Sequence, residues 1–324
     1  MAGLPGDTLD DGTKRLIANF GVNHFILFTR NIVDEVQVRG LCKDLVSFCL
    51  AEGLEEPLVA IDQEGGSVTR LTPPFRQFAD ARVYGGESNP EQAVRKYSAD
   101  NGALLASLGI NVNFAPVLDV CPEGAGCFME RRCLHEDAEQ VARLGSLIIQ
   151  GLQQQNVAAC GKHFPGLGEA VIDPHLHLPK MTDSLEKIRR WDLLPFMQAI
   201  KDDVAMLMTS HVQYDGVDPD HLATMSSFIL QDLLRDELGY DGVIVTDDLE
   251  MGAVKNHFGV AEAAVLSFMA GADLLLICEN QQDVEQGVRL LYERLQSGEV
   301  VTERILGSKS RIKKLCTCFA RKHD

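Results

Sequence analysis

The chain has 324 residues, 45% of them apolar and 24% charged, with a formal net charge of -17. That composition suits a globular protein with a full core, built as one large barrel or two smaller domains. The acidic excess argues against nucleic acid or anionic membrane as a partner, because counterion release and surface attraction both need basic patches.

After a short polar lead, helical spacing covers 13–19, and the apolar run 24–28 reads as a buried strand ending in Thr29-Arg30-Asn31. Helical spacing returns over 33–51. A second strand, 57–61, ends at D-Q-E-G-G with Arg70 shortly after. A helix over 91–108 leads into a third strand, 112–119, then a long loop with Arg131 and Arg132 and a helix over 138–154. The fourth strand, from Val157, runs into Lys162 and His163. Residues 184–201 are helical with an interruption at Pro195, and 204–208 form a fifth strand that exits at Thr209-Ser210-His211. A helix over 226–238, closed by Gly239, precedes a sixth strand, 242–245, exiting at Thr246-Asp247-Asp248. A helix over 260–270, a strand over 272–277, a helix over 283–296 and a basic surface helix over 304–321 complete the chain. Strand and helix alternate throughout, which argues a parallel sheet with crossover helices.

Seven strands are clear, and an eighth, irregular one is expected in the short stretch after Asp248, near Met251 to Val254. Polar residues gather where strands end. That asymmetry fits a (β/α)8 barrel with its site at the C-terminal face; a doubly wound sheet shares it, but no glycine-rich phosphate fingerprint follows the first strand. The whole chain, 1–324, reads as one such domain. Nothing resembling a signal peptide opens the chain, and no apolar run is long enough to span a bilayer. Nine cysteines, none in a C-x-x-C and several within apolar stretches, point to buried, reduced thiols and a cytoplasmic location. Cys121, Cys127 and Cys133 recur at equal spacing but lack the paired spacing of a zinc site.

The densest chemistry lies in the stretch G-K-H-F-P-G-L-G-E-A-V-I-D-P-H-L-H-L-P, residues 161–179. It delivers Lys162 and His163 at a strand end, turns through Gly166 and Gly168, and then carries Asp173, His175 and His177, with Pro174 disfavouring helix. An Asp beside a His can fix its tautomer and raise its pKa, which prepares the imidazole for proton transfer. The same residues also allow a metal site, or ordinary loop polarity. Asp247 in V-I-V-T-D-D-L suits a nucleophile or a solvated strand end.

K-H-F-P-G followed by D-x-H resembles the signature loop of glycoside hydrolase family 3, in its β-N-acetylhexosaminidase branch, and T-D-D-L-E-M-G-A is similar to that family's nucleophile segment. The resemblance covers roughly residues 25–278. It implies a single β/α barrel acting as a retaining exo-β-N-acetylglucosaminidase. Asp247 would form the glycosyl-enzyme and His175, held by Asp173, would be the acid/base. Asp62, Arg70, Arg132, Lys162 and His163 would bind the sugar hydroxyls, Glu64 would brace its loop, and His211 would line the pocket. It further implies a small carbohydrate ligand with terminal β-linked N-acetylglucosamine, muropeptides of peptidoglycan recycling as the source, and neither metal nor other cofactor. The sequence departs from the family at Pro174 and Val171, where Ser or Thr and Thr are usual, and at Ser67, where Arg is usual. A histidine base repels an anion less than a carboxylate does, so phosphorolysis of the same glycosides stays open. So do a metal-dependent hydrolase using His163, Asp173, His175 and His177, and a catalytically silent sugar-binding protein on the same scaffold.

Overall fold

The computed structural model describes residues 1–170 and 178–319. Their strands run β1 (Ala2–Gly3), β2 (Phe25–Leu27), β3 (Val59–Ile61), β4 (Val112–Asn113), β5 (Ala158–Phe164), β6 (Lys180–Met181), β7 (Met206–Thr209), β8 (Gln213–Tyr214), β9 (Asp218–Leu222), β10 (Val243–Asp248) and β11 (Leu274–Leu276). Eight of them pair in parallel in the order β1-β2-β3-β4-β5-β7-β10-β11. Ala2 bridges to Ile277 just past β11, and the Gly3 N–H donates to the Ile277 carbonyl at 2.9 Å. The sheet therefore closes on itself, and with its crossover helices it is a (β/α)8 barrel. β6, β8 and β9 form a small separate sheet beside it.

All seven strands read from the sequence are present. The eighth is not where it was expected: Met251 precedes a helix, Gly252–Phe258, and the missing strand is β1, inside the lead read as polar. Two small residues carry no apolar signal of their own. They are strand because the neighbouring edges of β2 and β11 leave a slot that only extended backbone fills. An added Cβ on Gly3 would stand 1.9 Å from the Cys278 carbonyl oxygen.

Inside the barrel, alternation with period two sorts the side chains. Ile26, Ala60, Val112, Phe114, Ala158, Cys160, Met206, Met208, Val243, Val245, Leu274 and Leu276 pack together in the interior. Phe25, Leu27, Val59 and Ile61, and on the far side Ala159, Leu207 and Ile244, face outward onto helices. Those helices start on polar caps: Asp10, Asp34, Asn89 and Asp137 accept from backbone N–H groups at the heads of Asp11–Phe20, Glu35–Ala51, Pro90–Leu108 and Ala138–Gln154.

Two helical expectations change. The basic helix, Thr302–Phe319, is not a surface appendage: Leu315 and Cys316 are buried in the interior cluster at the barrel's N-terminal end. Beside it the buried Asp273 carboxylate takes Arg235 at 2.6 Å, Arg311 at 2.8 Å and Ser308 at 2.6 Å. The region 184–201 is two helices, Leu185–Arg190 and Leu193–Lys201, so the break falls before Pro195, which lies in the first turn of the second helix where its missing N–H costs nothing.

Asp192 sits at that break, 2% exposed, and neither carboxyl oxygen has a hydrogen-bond partner among the described residues. Burial first, then the nearby Glu169 carboxylate, pushes its pKa up to about 8. A carboxyl whose folded pKa lies above its unfolded value costs stability as pH rises from near 4 toward 8, because the folded chain holds a proton the unfolded chain releases. Asp192→Asn is therefore expected to stabilise the protein by roughly 2 kcal/mol or more at pH 7, with the gain vanishing below about pH 4. Urea melts of both proteins at the two pH values measure it; an equal or lower stability at pH 7 would contradict the account.

Candidate active site

The inward side of each strand continues past the apolar interior into charge. Asp62 follows Ala60, Lys162 follows Ala158 and Cys160, and Asp247 follows Val243 and Val245, each two residues beyond the last inward apolar side chain. Period-two alternation alone thus lifts these three groups into one layer at the C-terminal mouth.

Lys162 is the hub. Its side chain is 2% exposed, and Nζ lies 2.9 Å from Asp62 Oδ1 and 2.6 Å from Glu64 Oε1. Arg132 forks onto Glu64, Nε to Oε2 at 2.9 Å and a terminal nitrogen to Oε1 at 2.8 Å. Arg70 reaches the other oxygen of Asp62 at 3.3 Å. Buried charges survive only when paired in this way. Burial opposes ionisation of Glu64, but the charges of Arg132 and then Lys162 outweigh it and hold its carboxyl far below the usual range. Burial likewise opposes the charge on Lys162, and Asp62 and Glu64 restore it, so the ammonium persists above its ordinary range.

The loop after β3 is fixed from below. The Gln63 side-chain oxygen accepts the backbone N–H of Arg70 at 2.9 Å and of Leu71 at 3.1 Å, while the Gln63 carbonyl accepts from Asn101 at 2.8 Å and Asn113 at 3.1 Å. Asp62 and Arg70 are thereby presented from a rigid turn. Ser67 donates its N–H and hydroxyl to Asp80, which also takes Nε and a terminal nitrogen of Arg131.

His163 is held by a residue that the sequence reading passed over. Nδ1 lies 2.7 Å from Asp119 Oδ2, and Asp119, fully buried, also accepts the backbone N–H of His163 and, at 2.8 Å, that of Leu167. With Nδ1–H committed to the carboxylate, Nε2 has no hydrogen-bond partner among the described residues, and it lies 3.9 Å from Asp247 Oδ2. The only hint in the sequence was an aspartate ending the third strand.

Asp247 accepts the Asp248 N–H at 2.8 Å on Oδ1. Burial opposes its ionisation, but interaction with the His163 and His211 rings and the Lys162 ammonium, and the Asp248 N–H, outweighs it and keeps the carboxyl below its ordinary range. Its neighbour behaves in the opposite way. Burial, reinforced by Glu250 and Asp247, raises Asp248 to about 7, and its Oδ1 accepts the Glu250 N–H at 3.1 Å, a turn-stabilising role. His211, 1% exposed, rests Nε2 on the Asp248 carbonyl at 3.0 Å, and its Nδ1 is unpartnered among the described residues. Desolvation lowers its pKa.

The structure therefore brings together Asp62, Arg70, Arg132, Lys162, His163 and Asp247, with Glu64 as the brace between Lys162 and Arg132. Asp173, His175 and His177, with Pro174 and Val171, lie outside the described residues. The strand side of their loop is defined: an added Cβ on Gly168 would meet the Val120 carbonyl oxygen at 2.0 Å, and Tyr214 donates to the Gly166 carbonyl at 2.7 Å. On the other side, β6 pairs with β8. No helix among the described residues is long and apolar enough to cross a membrane.

A parallel barrel that gathers an ionised carboxylate and a carboxylate–ammonium–guanidinium cluster at its C-terminal mouth has the place and the donors and acceptors of a polar ligand site. Residues 5–315 match the glycosyl hydrolase family 3 N-terminal domain. The chain belongs to glycosyl hydrolase family 3. It is 34% identical to the β-hexosaminidase A of Pseudoalteromonas piscicida over 96% of this chain and 56% of that protein. It is also 34% identical to the β-hexosaminidase of Thiobacillus denitrificans, over 87% and 78%. Among solved structures, the family 3 β-N-acetylglucosaminidase of Paenibacillus sp. FPU-7 superposes with a TM-score of 0.94 at 37% identity, covering 99% of this chain and 61% of that one. NagZ from Neisseria gonorrhoeae, in complex with N-trifluoroacetyl-D-glucosamine, superposes with a TM-score of 0.81 at 28% identity, covering 99% and 97%. The chain thus spans less than two thirds of the Pseudoalteromonas and Paenibacillus proteins.

Proposed function

We propose that the protein is a retaining exo-β-N-acetylglucosaminidase that removes terminal β-linked N-acetylglucosamine from small glycosides, with muropeptides as the natural class. The reading rests on one observation above the others: Asp247 is an ionised carboxylate at the barrel mouth, with Nε2 of His163 3.9 Å from its Oδ2. A nucleophile must be charged and have one oxygen to spare, and among the described residues Asp247 accepts a hydrogen bond on Oδ1 alone. Asp62, Lys162, Arg132 and Arg70 then supply acceptors and donors for the sugar hydroxyls on the same side of the mouth, and the β-hexosaminidase relatives support the choice of sugar.

In this mechanism Asp247 attacks the anomeric carbon while His175, as imidazolium beside Asp173, protonates the leaving oxygen. Neutral His175 then takes a proton from water, and the sugar leaves with its configuration retained. A histidine in that role departs from the usual carboxylate pair.

The test is rapid-mixing kinetics on an activated aryl β-N-acetylglucosaminide. A stoichiometric burst of aglycone followed by slower turnover is expected, with the β-anomer of the sugar as first product. No release at all would leave only a sugar-binding protein, and first release of the α-anomer would exclude a glycosyl-enzyme. Running the assay with and without phosphate identifies the acceptor, and inactivation by a chelator would support the metal-dependent alternative instead.

A further inference from the structure

Asp247 sits on an irregularity of the barrel. Against β7, strand β10 keeps plain register, from Val243 opposite Met206 to Thr246 opposite Thr209. Against β11 it does not: Val245 pairs with Leu274 but Asp248 pairs with Leu276, so three steps along β10 answer two along β11. The extra residue falls in the stretch that holds Asp247, and a bulge bends the strand and re-aims the side chain it carries.

Such a bulge breaks the ladder of backbone hydrogen bonds, and two side chains supply replacements. The Leu276 N–H donates to the hydroxyl oxygen of Thr246 at 3.0 Å, and both residues are buried, Thr246 completely. Beyond the bulge the Leu249 N–H returns to the Leu276 carbonyl at 3.0 Å. One residue later, the Glu250 carboxylate takes three consecutive N–H groups past the exit of β11: Cys278 at 2.9 Å and Glu279 at 2.5 Å on Oε2, and Asn280 at 3.2 Å on Oε1. Asn280 caps the helix Gln281–Gln296, so the carboxylate also lies at the favourable, positive end of a helix. Thr246 thus fastens the residue before Asp247 to β11, and Glu250 fastens the third residue after it. Between these two pins the Asp247 carboxylate takes the Asp248 N–H on Oδ1, and Asp248 in turn takes the Glu250 N–H.

We propose that Thr246 and Glu250 are positioning residues that pin this bulge and thereby aim the Asp247 carboxylate at the anomeric carbon. Both act through the backbone, and neither supplies a group to the reaction. The part played in turnover rests on the glycosidase reading; the fastening to β11 does not.

Three substitutions in the full chain separate aim from folding. Thr246→Val keeps the volume and removes the acceptor, Thr246→Ser keeps the acceptor, and Glu250→Gln keeps the shape but exchanges one oxygen for a donor that the amides of 278–280 cannot use. Each protein is mixed with a 5-fluoro N-acetylglucosaminyl fluoride, from which the Asp247 carboxylate displaces fluoride to leave a slowly hydrolysed glycosyl-enzyme, and the gain in mass is followed with time. Thr246→Val and Glu250→Gln are expected to label to completion, about ten to a hundred times more slowly than the parent, while Thr246→Ser labels near the parent rate. Amide hydrogen exchange at 278–280 is expected to quicken in Glu250→Gln. Labelling of only a fraction of either slow variant, at the parent rate, would mean lost fold and not lost aim, and would overturn the proposal. So would complete labelling at the parent rate, or a Thr246→Ser as slow as Thr246→Val. Unchanged exchange at 278–280 would remove Glu250 as a pin. A parent that takes no label would sink the glycosidase reading and the aim with it, while the exchange result still decides the fastening.

Discussion

Asp247→Ala is expected to lower kcat on an activated β-N-acetylglucosaminide by about 10⁴-fold or more, with KM changed far less. The carboxylate contributes only when the anomeric carbon becomes electron-poor, so its loss falls on the transition state and not on ground-state binding. Asp247 is not a brace of the proposed sugar pocket: Lys162, Asp62, Glu64 and Arg132 pair among themselves. The cavity left by the alanine admits a small anion, so azide should restore part of the rate and yield the α-glycosyl azide, by single inversion. Full activity in the variant, or azide rescue that gives the β-product, would remove Asp247 from the nucleophile's role. Steady-state kinetics and product stereochemistry suffice to decide.

The second large effect is on stability. Lys162→Met is expected to cost about 3 to 5 kcal/mol, because it leaves Asp62 and Glu64 facing each other without the ammonium that now lies 2.9 and 2.6 Å from them. Arg132 and Arg70 remain, one on each carboxylate, so the lower end of that range is the better expectation. The pH dependence gives a separate handle. Glu64 is held below its ordinary value of 4.5 in the folded state, so its contribution is present above that pH and is lost as pH falls through the lower folded value. Removing the ammonium takes away part of the depression, so stability of the variant should fall less steeply on the acid side. Urea melts from neutral pH down to about pH 3 measure both; a variant within about 0.5 kcal/mol of the parent throughout would contradict the pairing.

How much of this was legible beforehand depends on what kind of signal each residue sends. Seven barrel strands announce themselves because their residues are apolar on both faces, interior and helix-facing, as in Val243-Ile244-Val245. β1 sends no such signal, since Ala2 and Gly3 are strand only through the edges they fill, and so the count was completed in the wrong place. The Thr302–Phe319 helix misled for the opposite reason: its arginines suggest a solvated surface, yet Arg304 and Arg311 turn inward to Asp273. At the mouth, Asp62, Lys162, His163 and Asp247 stand where buried strands end, a costly place for charge, whereas Arg70 and Arg132 lie in loops and were expected at the site only through the family resemblance. Asp119 was not, because an aspartate ending a strand is commonplace, and only its 2.7 Å contact with His163 distinguishes it.

The placement of the Thr302–Phe319 helix bears on how the protein can be handled. Phe319 lies with Val204, Ala205 and Gly242, at the entrances of the strands, whereas Asp62, Lys162 and Asp247 stand at their exits. A reporter attached at residue 319 would sit at the end of the barrel opposite the candidate site. Deleting the helix to shorten the protein would instead uncork the barrel's floor and wet Met206 and Val243.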